Sequence, residues 1–267
     1  MNVSLLIDGA DVQARSNATF ERKDPFTGQV ATTAAAGNAD DAKAACDAAA
    51  AAFPAWSETG PNERRKILLK AADLLEAKTP EFIKLITEET GGTGPWGGFN
   101  VMFAAKVMRE AASMTTMIHG EVIPSDKPGC FSMGIRQAAG VCVGMAPWNA
   151  PVILGVRAVA MPLACGNTVV LKASETCPAT HMLIGKVLQE AGLPKGVINV
   201  VTHSREDAPA VTEALIAHPA VRRINFTGSS HVGRIIAQIA AKYLKPVLLE
   251  LGGKAPLLVL DDANIDD

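Results

Sequence analysis

The 267-residue chain has almost no net charge: 25 Lys and Arg stand against 27 Asp and Glu, a formal −2. Without a basic field nothing draws in nucleic acid or an anionic membrane surface, and neither partner is expected. No leader is expected either. Met1-Asn2-Val3-Ser4-Leu5-Leu6-Ile7-Asp8 has no cationic start and too short an apolar run for a signal core. No later stretch approaches a membrane span, so the cytoplasm is the expected compartment. Cysteine is sparse and unpaired. Five residues, at 46, 130, 142, 165 and 177, form no Cys-x-x-Cys pair, which excludes a disulfide framework and a zinc site, and no metal is expected. Without secretion, the glycosylation patterns Asn17-Ala18-Thr19 and Asn225-Phe226-Thr227 carry no meaning. The lysine and hydroxyl of a P-loop are absent too, since Arg234-Ile235 stand there, which argues against a nucleoside triphosphatase.

The hydrophobic content, 48%, is enough for two domains or one large one. Over 39–119 the chain is Ala-rich with helical periodicity, Asp40-Asp41 and Asn62 being placed to cap two of the helices. Over 120–137 the period is lost at Pro124, Pro128, Gly129 and Gly134, while Phe131, Met133 and Ile135 alternate like an edge or arm strand. Beyond 140, apolar strand candidates at 141–145, 168–171, 197–201, 223–226 and 247–249 alternate with helix candidates at 151–164, 178–191, 205–217 and 230–242. That rhythm predicts an α/β fold with a Rossmann-like parallel sheet covered on both faces.

Ligands of such sheets sit at the carboxyl ends of the strands, and four polar or glycine motifs follow strand candidates here. After the fourth comes Phe226-Thr227-Gly228-Ser229-Ser230-His231-Val232-Gly233. Gly228 and Ser229, opening a helix with Gly233 for close packing, suit a pyrophosphate, although turn glycines alone would look the same. After the second come Lys172-Ala173-Ser174-Glu175: a lysine and a carboxylate for ribose hydroxyls, with Glu175 set to repel a 2′-phosphate, or else a solvated charge pair. After the first comes Pro147-Trp148-Asn149. Asn149 is either an amide donor to a developing alkoxide or the N-cap of the next helix, and Trp148 lines either a cofactor cleft or the core. Ala150, Leu154 and Arg157 share one face of that helix; Arg157 meets a substrate substituent or an interface partner, and Trp96 is a further wall candidate. Glu250, at the last strand exit before Leu251-Gly252-Gly253-Lys254, is the general-base candidate. The cysteines are set aside as nucleophiles: Cys46 and Cys142 read as buried hydrophobes, Cys165 as part of a turn, and Cys130 and Cys177 as loop residues with no neighbouring base in sequence.

Glu250-Leu251-Gly252-Gly253-Lys254, Pro147-Trp148-Asn149 and Phe226-Thr227-Gly228-Ser229 together resemble the aldehyde dehydrogenase superfamily. The likeness spans nearly the whole chain, from Glu21-Arg22 to Leu260-Asp261-Asp262-Ala263. It looks closest to bacterial aromatic aldehyde dehydrogenases of the salicylaldehyde and vanillin type, through Gly60-Pro61-Asn62-Glu63-Arg64-Arg65, Arg109-Glu110-Ala111-Ala112 and Arg157. Ala173 departs from the family's usual proline. The resemblance implies NAD as cofactor, bound by Pro147, Trp148, Lys172, Ser174, Glu175, Phe226, Gly228, Ser229, Gly233 and Leu251. It implies Asn149 and Glu250 as catalytic groups, a pocket formed by Trp96, Ala150, Leu154 and Arg157, and a small-molecule aldehyde as substrate. It also implies a homodimer or homotetramer joined through an arm at 120–140, an NAD domain drawn from 1–119 and 141–250, and the opening of a catalytic domain at 251–267. The family's cysteine nucleophile falls roughly 30–35 residues beyond the glutamate, past Asp267, so the chain is expected to be an inactive fragment. The alternatives are a short product that binds nucleotide or a subunit without catalysis, and a thioester-forming enzyme using coenzyme A, against which Glu250 argues.

Overall fold

The computed structural model of the protein describes residues 1–265. Five short strands, β1 (Asn2–Val3), β2 (Leu5–Ile7), β3 (Ala10–Val12), β4 (Thr19–Lys23) and β5 (Val30–Ala35), precede four helices. These are α1 (Ala39–Glu58), α2 (Pro61–Ala77), α3 (Thr79–Thr90) and α4 (Gly94–Met114). A hairpin of β6 (Glu121–Ile123) and β7 (Ser132–Gly134) leads to an alternating run: β8 (Val141–Met145), α5 (Pro151–Ala164), β9 (Thr168–Lys172), α6 (Pro178–Glu190) and β10 (Ile198–Val201). It continues as α7 (Ala208–Ala217), β11 (Val221–Gly228), α8 (Ser230–Lys242) and β12 (Val247–Leu251).

The run builds a parallel sheet in the order β12-β11-β8-β9-β10, which β2 and β3 extend antiparallel. Strands β8, β9 and β10 step outward in one direction; the chain then crosses back and lays β11 and β12 on the other side of β8. Strand order therefore reverses between β8 and β11, the place where open α/β sheets receive ligands. Burial on both faces is visible within single strands. Val169 and Leu171 belong to the core shared with α5 and α6, whereas Val170 between them belongs to the core shared with α1, α7 and α8. Each fully buried side chain of this size contributes about 1.5–3 kcal/mol, which is why the strands read as apolar runs. The parallel sheet with flanking helices is thus the fold observed. The last two strands are longer than their apolar cores suggested: β12 extends through Glu250, paired opposite Thr227.

Helix starts differ in detail from expectation. The N-cap of α1 is Asn38, whose side-chain oxygen accepts from the amides of Asp40 and Asp41, while the Asp41 carboxylate accepts from Asn38 N–H at 3.0 Å. Asp41 is thus the reciprocal partner and not the cap. In α2 the cap position is Gly60 with Pro61 first in the helix, so Asn62 lies inside the first turn; the φ that proline imposes already suits a helix start.

Apolar surface is exposed at several places, among them a hairpin and the C-terminal run. The β6–β7 hairpin exposes Val122, Phe131, Met133 and Ile135. The apolar run 254–260 is irregular, with Leu257 88% and Leu258 84% exposed. Its composition is strand-like, but a strand needs a partner for its backbone groups, and among the described residues none pairs with it. Residues 266 and 267 of the expected 251–267 segment lie outside the described residues. The neighbouring strand β12 ends the sheet with Leu248 67% exposed. An uncovered apolar edge of this kind promotes association. We predict that the 267-residue chain self-associates at micromolar concentration and that Leu257→Asp with Leu258→Asp reduces this. Sedimentation showing a monodisperse monomer for the unaltered chain would contradict it.

Candidate functional site

Strand register brings the sequence motifs to one edge. Met145 of β8 lies opposite Lys172 of β9 on one side and Phe226 of β11 on the other. Gly228 of β11 in turn faces Leu251 of β12. The exits of these strands therefore open on the same side of the sheet, around the reversal point.

After β8, Pro147 is half-buried and Trp148 is 50% exposed, so Trp148 is not a core residue. The N-cap of α5 is Ala150, with no side-chain hydrogen bond, and so Asn149 does not act as the cap. Its side chain is left exposed at the helix entrance, and its backbone carbonyl accepts a hydrogen bond from Trp96 Nε1 at 3.1 Å. Trp96 opens a stack along α4: its ring lies 5.6 Å from that of Phe99, which lies 5.8 Å from Phe103. On α5, Ala150, half-buried Leu154 and exposed Arg157 follow one stripe. Arg157 Nη2 stands 3.7 Å from a carboxylate oxygen of Glu250. With the two side chains 44% and 61% exposed, the pair contributes about 0–1 kcal/mol. Its importance lies in where it holds the carboxylate.

On the other side, Lys172 closes β9 and is followed by buried Ser174 and half-buried Glu175. Burial pulls the Lys172 ammonium down to about 8, opposed by the nearby Glu175 carboxylate. Ser229 is the N-cap of α8 and its hydroxyl accepts from Val232 N–H at 3.2 Å. The two glycines of this motif have steric reasons. A Cβ on Gly228 would come within 2.4 Å of the Phe226 ring, which lies buried beneath it, and one on Gly233 within 2.6 Å of Leu251, which packs against α8.

Beneath the Lys172–Glu175 loop lies a buried polar cluster to which the sequence had given no role. The carboxylate of Glu89, at the end of α3, accepts from Ala179 N–H (2.9 Å), Thr180 N–H (3.0 Å), Thr180 Oγ1 (2.7 Å) and Thr32 Oγ1 (2.9 Å). It thus serves as the anion at the start of α6. Burial pushes its pKa up, while the hydrogen bonds from Ala179, Thr180 and Thr32 pull it back. Cys177 is buried with its Sγ 3.7 Å from His181 Nε2, which corrects the expectation that it has no neighbouring base. Burial nevertheless holds that thiol well above its ordinary range. Helical spacing was the available signal, since residues 177 and 181 lie one turn apart.

A doubly wound sheet with a lysine, a carboxylate and a helix terminus beside its reversal point is an arrangement suited to a nucleotide ligand. The comparisons give the family: the aldehyde dehydrogenase family profile matches residues 12–267, and the chain belongs to that family. It is similar to a vanillin dehydrogenase of Pseudomonas fluorescens, 60% identical over 266 residues, covering 100% of this chain and 55% of that protein. It is also similar to the structure of a salicylaldehyde dehydrogenase from Pseudomonas putida complexed with salicylaldehyde, at 51% identity and TM-score 0.96, over 100% of this chain and 55% of that one. PnpE in complex with nicotinamide adenine dinucleotide matches at 38% identity and TM-score 0.93, over 100% and 54%. The chain spans about half the length of the curated relatives it matches.

Two buried imidazoles give this region a pH signature. Burial, with the Lys172 charge adding to it, lowers His181 from 6.5 to about 4 and His203 from 6.5 to about 3. Below 6.5 the unfolded chain binds protons that the folded chain refuses, so their contribution is complete above 6.5 and is lost as pH falls towards 4. We predict that urea-unfolding stability falls between pH 7 and 5 and that His203→Phe makes the fall shallower. An identical slope in the variant would contradict this.

Proposed function

We propose that the protein carrying this chain oxidises an aromatic aldehyde to the carboxylic acid with NAD as hydride acceptor. In this reading the chain supplies the nucleotide site, the alkoxide donor and the general base. Two contacts carry the reading: Trp96 Nε1 bonds to the Asn149 carbonyl just after β8, and Arg157 of α5 pairs with Glu250 near the end of β12. The relatives named for vanillin and salicylaldehyde support an aromatic substrate, and the relative solved with nicotinamide adenine dinucleotide supports a nicotinamide cofactor.

The residues present fit a dinucleotide. Lys172 and Glu175 offer donor and acceptor to ribose hydroxyls, and the first-turn amides of α8, capped by Ser229, suit a pyrophosphate. Added Cβ atoms on Gly252 and Gly253 would meet nothing within 4 Å, leaving room beside β12. When bound, the nicotinamide supplies the acceptor for the hydride. The Asn149 amide would donate to the oxygen that gains charge as the aldehyde is attacked, a contribution of about 3–4 kcal/mol. Glu250 takes the proton from the attacking thiol, or from the water that releases the acid. Ala150, Leu154, Arg157 and the Trp96 stack line the approach, an aromatic and cationic surface suited to a substituted ring.

The nucleophile is assigned to a cysteine outside these residues. Cys46, Cys142 and Cys177 are buried, and burial raises the first two thiols to about 12. Cys130 lies between β6 and β7. Cys165 caps the far end of α5, roughly 20 Å along the helix from Asn149 at about 1.5 Å per residue. The same observation favours one competing reading, a product that binds nucleotide or a subunit without catalysis. Assembly as a homodimer or homotetramer through the apolar 120–140 segment, a nucleophile-bearing domain opening at 251–267, and a cytoplasmic location complete the proposal.

Two measurements test it. The 267-residue chain should reduce no NAD with benzaldehyde above a no-enzyme control, whereas the complete protein should; turnover by the chain alone would refute the nucleophile assignment. In the complete protein Glu175→Gln should shift the ratio of specificity constants towards NADP by about tenfold, and less at high salt, because a screened like-charge contact is removed. An unchanged ratio would take cofactor discrimination away from Glu175.

A further inference from the structure

We propose that His181 is a positioning residue that ties the ribose-side loop to the first turn of α5, just past the oxyanion candidate Asn149, accepting from Ser174 N–H through Nδ1 and donating from Nε2 to the carbonyl of Pro151. The inference rests on the proposed function, which makes both segments part of one site. Ser174 lies two residues beyond the end of β9, and Pro151 two residues beyond Asn149. The two bonds are 3.1 Å and 3.2 Å long, and the imidazole is fully buried. The ladder between β8 and β9 ends at Met145 opposite Lys172, so past that point the two segments no longer bond to each other through the sheet. His181 resumes the connection from below.

The chemistry selects one form of the ring. Ser174 N–H is a donor and needs a lone pair at Nδ1; the Pro151 carbonyl is an acceptor and needs a hydrogen on Nε2. A neutral imidazole meets both, whereas an imidazolium would set N–H against N–H at Ser174. Burial keeps the ring neutral down to about pH 4, with Lys172 and Cys177 as its ionisable neighbours.

Packing fixes its place. A Cβ on Gly155 would stand 3.3 Å from His181 Cδ2 and 2.5 Å from Ile184, so the glycine lets α5 approach the ring closely. Glu89 anchors the same turn of α6 through Ala179 and Thr180. Any buried imidazole needs partners for its ring nitrogens; here both belong to segments of the candidate site, the loop after β9 and the start of α5.

Three variants of the complete protein test the assignment. His181→Phe keeps the ring shape and removes both bonds. His181→Asn keeps an acceptor near Ser174, and His181→Gln keeps a donor near Pro151. Relative to wild type, Phe should raise KM for NAD and lower kcat, each by about tenfold, the effect of one lost buried hydrogen bond. Asn should restore KM while kcat stays low, and Gln the reverse. A folded Phe variant with both parameters unchanged overturns the proposal. So does restoration of the same parameter by Asn and Gln, or losses that merely follow the thermal midpoint. If the wild type binds nucleotide but oxidises no aldehyde, the functional reading fails; nucleotide affinity across the three variants then decides His181, with Phe and Gln weakened and Asn retained supporting it and any other order overturning it. A wild type that binds no nucleotide overturns both.

Discussion

The parallel pairing of β8 with β9 on one side and β11 on the other is the constraint from which the rest of the molecule follows. Because the partners run in the same direction, their carboxyl ends open together, and Pro147–Asn149, Lys172–Glu175 and Gly228–Ser229 emerge on one edge though scattered over some 80 residues of chain. Parallel pairing also requires a crossover each time, and the crossovers place α5 and α6 on one face and α7 and α8 on the other. Burial of both faces is what makes the arrangement stable and the strands continuously apolar.

The site sits on a second layer of polar contacts that the sheet does not supply. Glu89 reaches across to the first turn of α6, where it satisfies amides that have no partner within the helix. A buried carboxylate is costly unless well paired, and four donors answer it. Through α6 that anchoring reaches Cys177 and His181, and through His181 the backbone of both segments. The cluster therefore couples the stability of the α3–α6 contact to the shape of the candidate site.

By contrast, the contact between Arg157 and Glu250 is exposed and weak. A tightly buried pair would bind the carboxylate to one posture, and the proposed role needs a group free to take a proton and pass it on.

Alternating apolar runs made the parallel sheet legible, since a strand covered on both faces is mostly apolar, and the bounds of β8, α5 and α8 matched at both ends. The motifs at strand exits were legible for the same reason: topology carries them to one edge whatever their neighbours are. What tertiary structure alone decided is which long-range partner each side chain found. No local signal says that Trp96 would bond to the carbonyl of Asn149, that Arg157 would meet Glu250, or that Glu89 would cap a helix 90 residues later. The cap of α1 passed from Asp40-Asp41 to Asn38, one of several local solutions of nearly equal energy. The apolar run 254–260 stayed out of a strand because propensity sets which residues suit a sheet, whereas pairing depends on another segment being there to receive their hydrogen bonds.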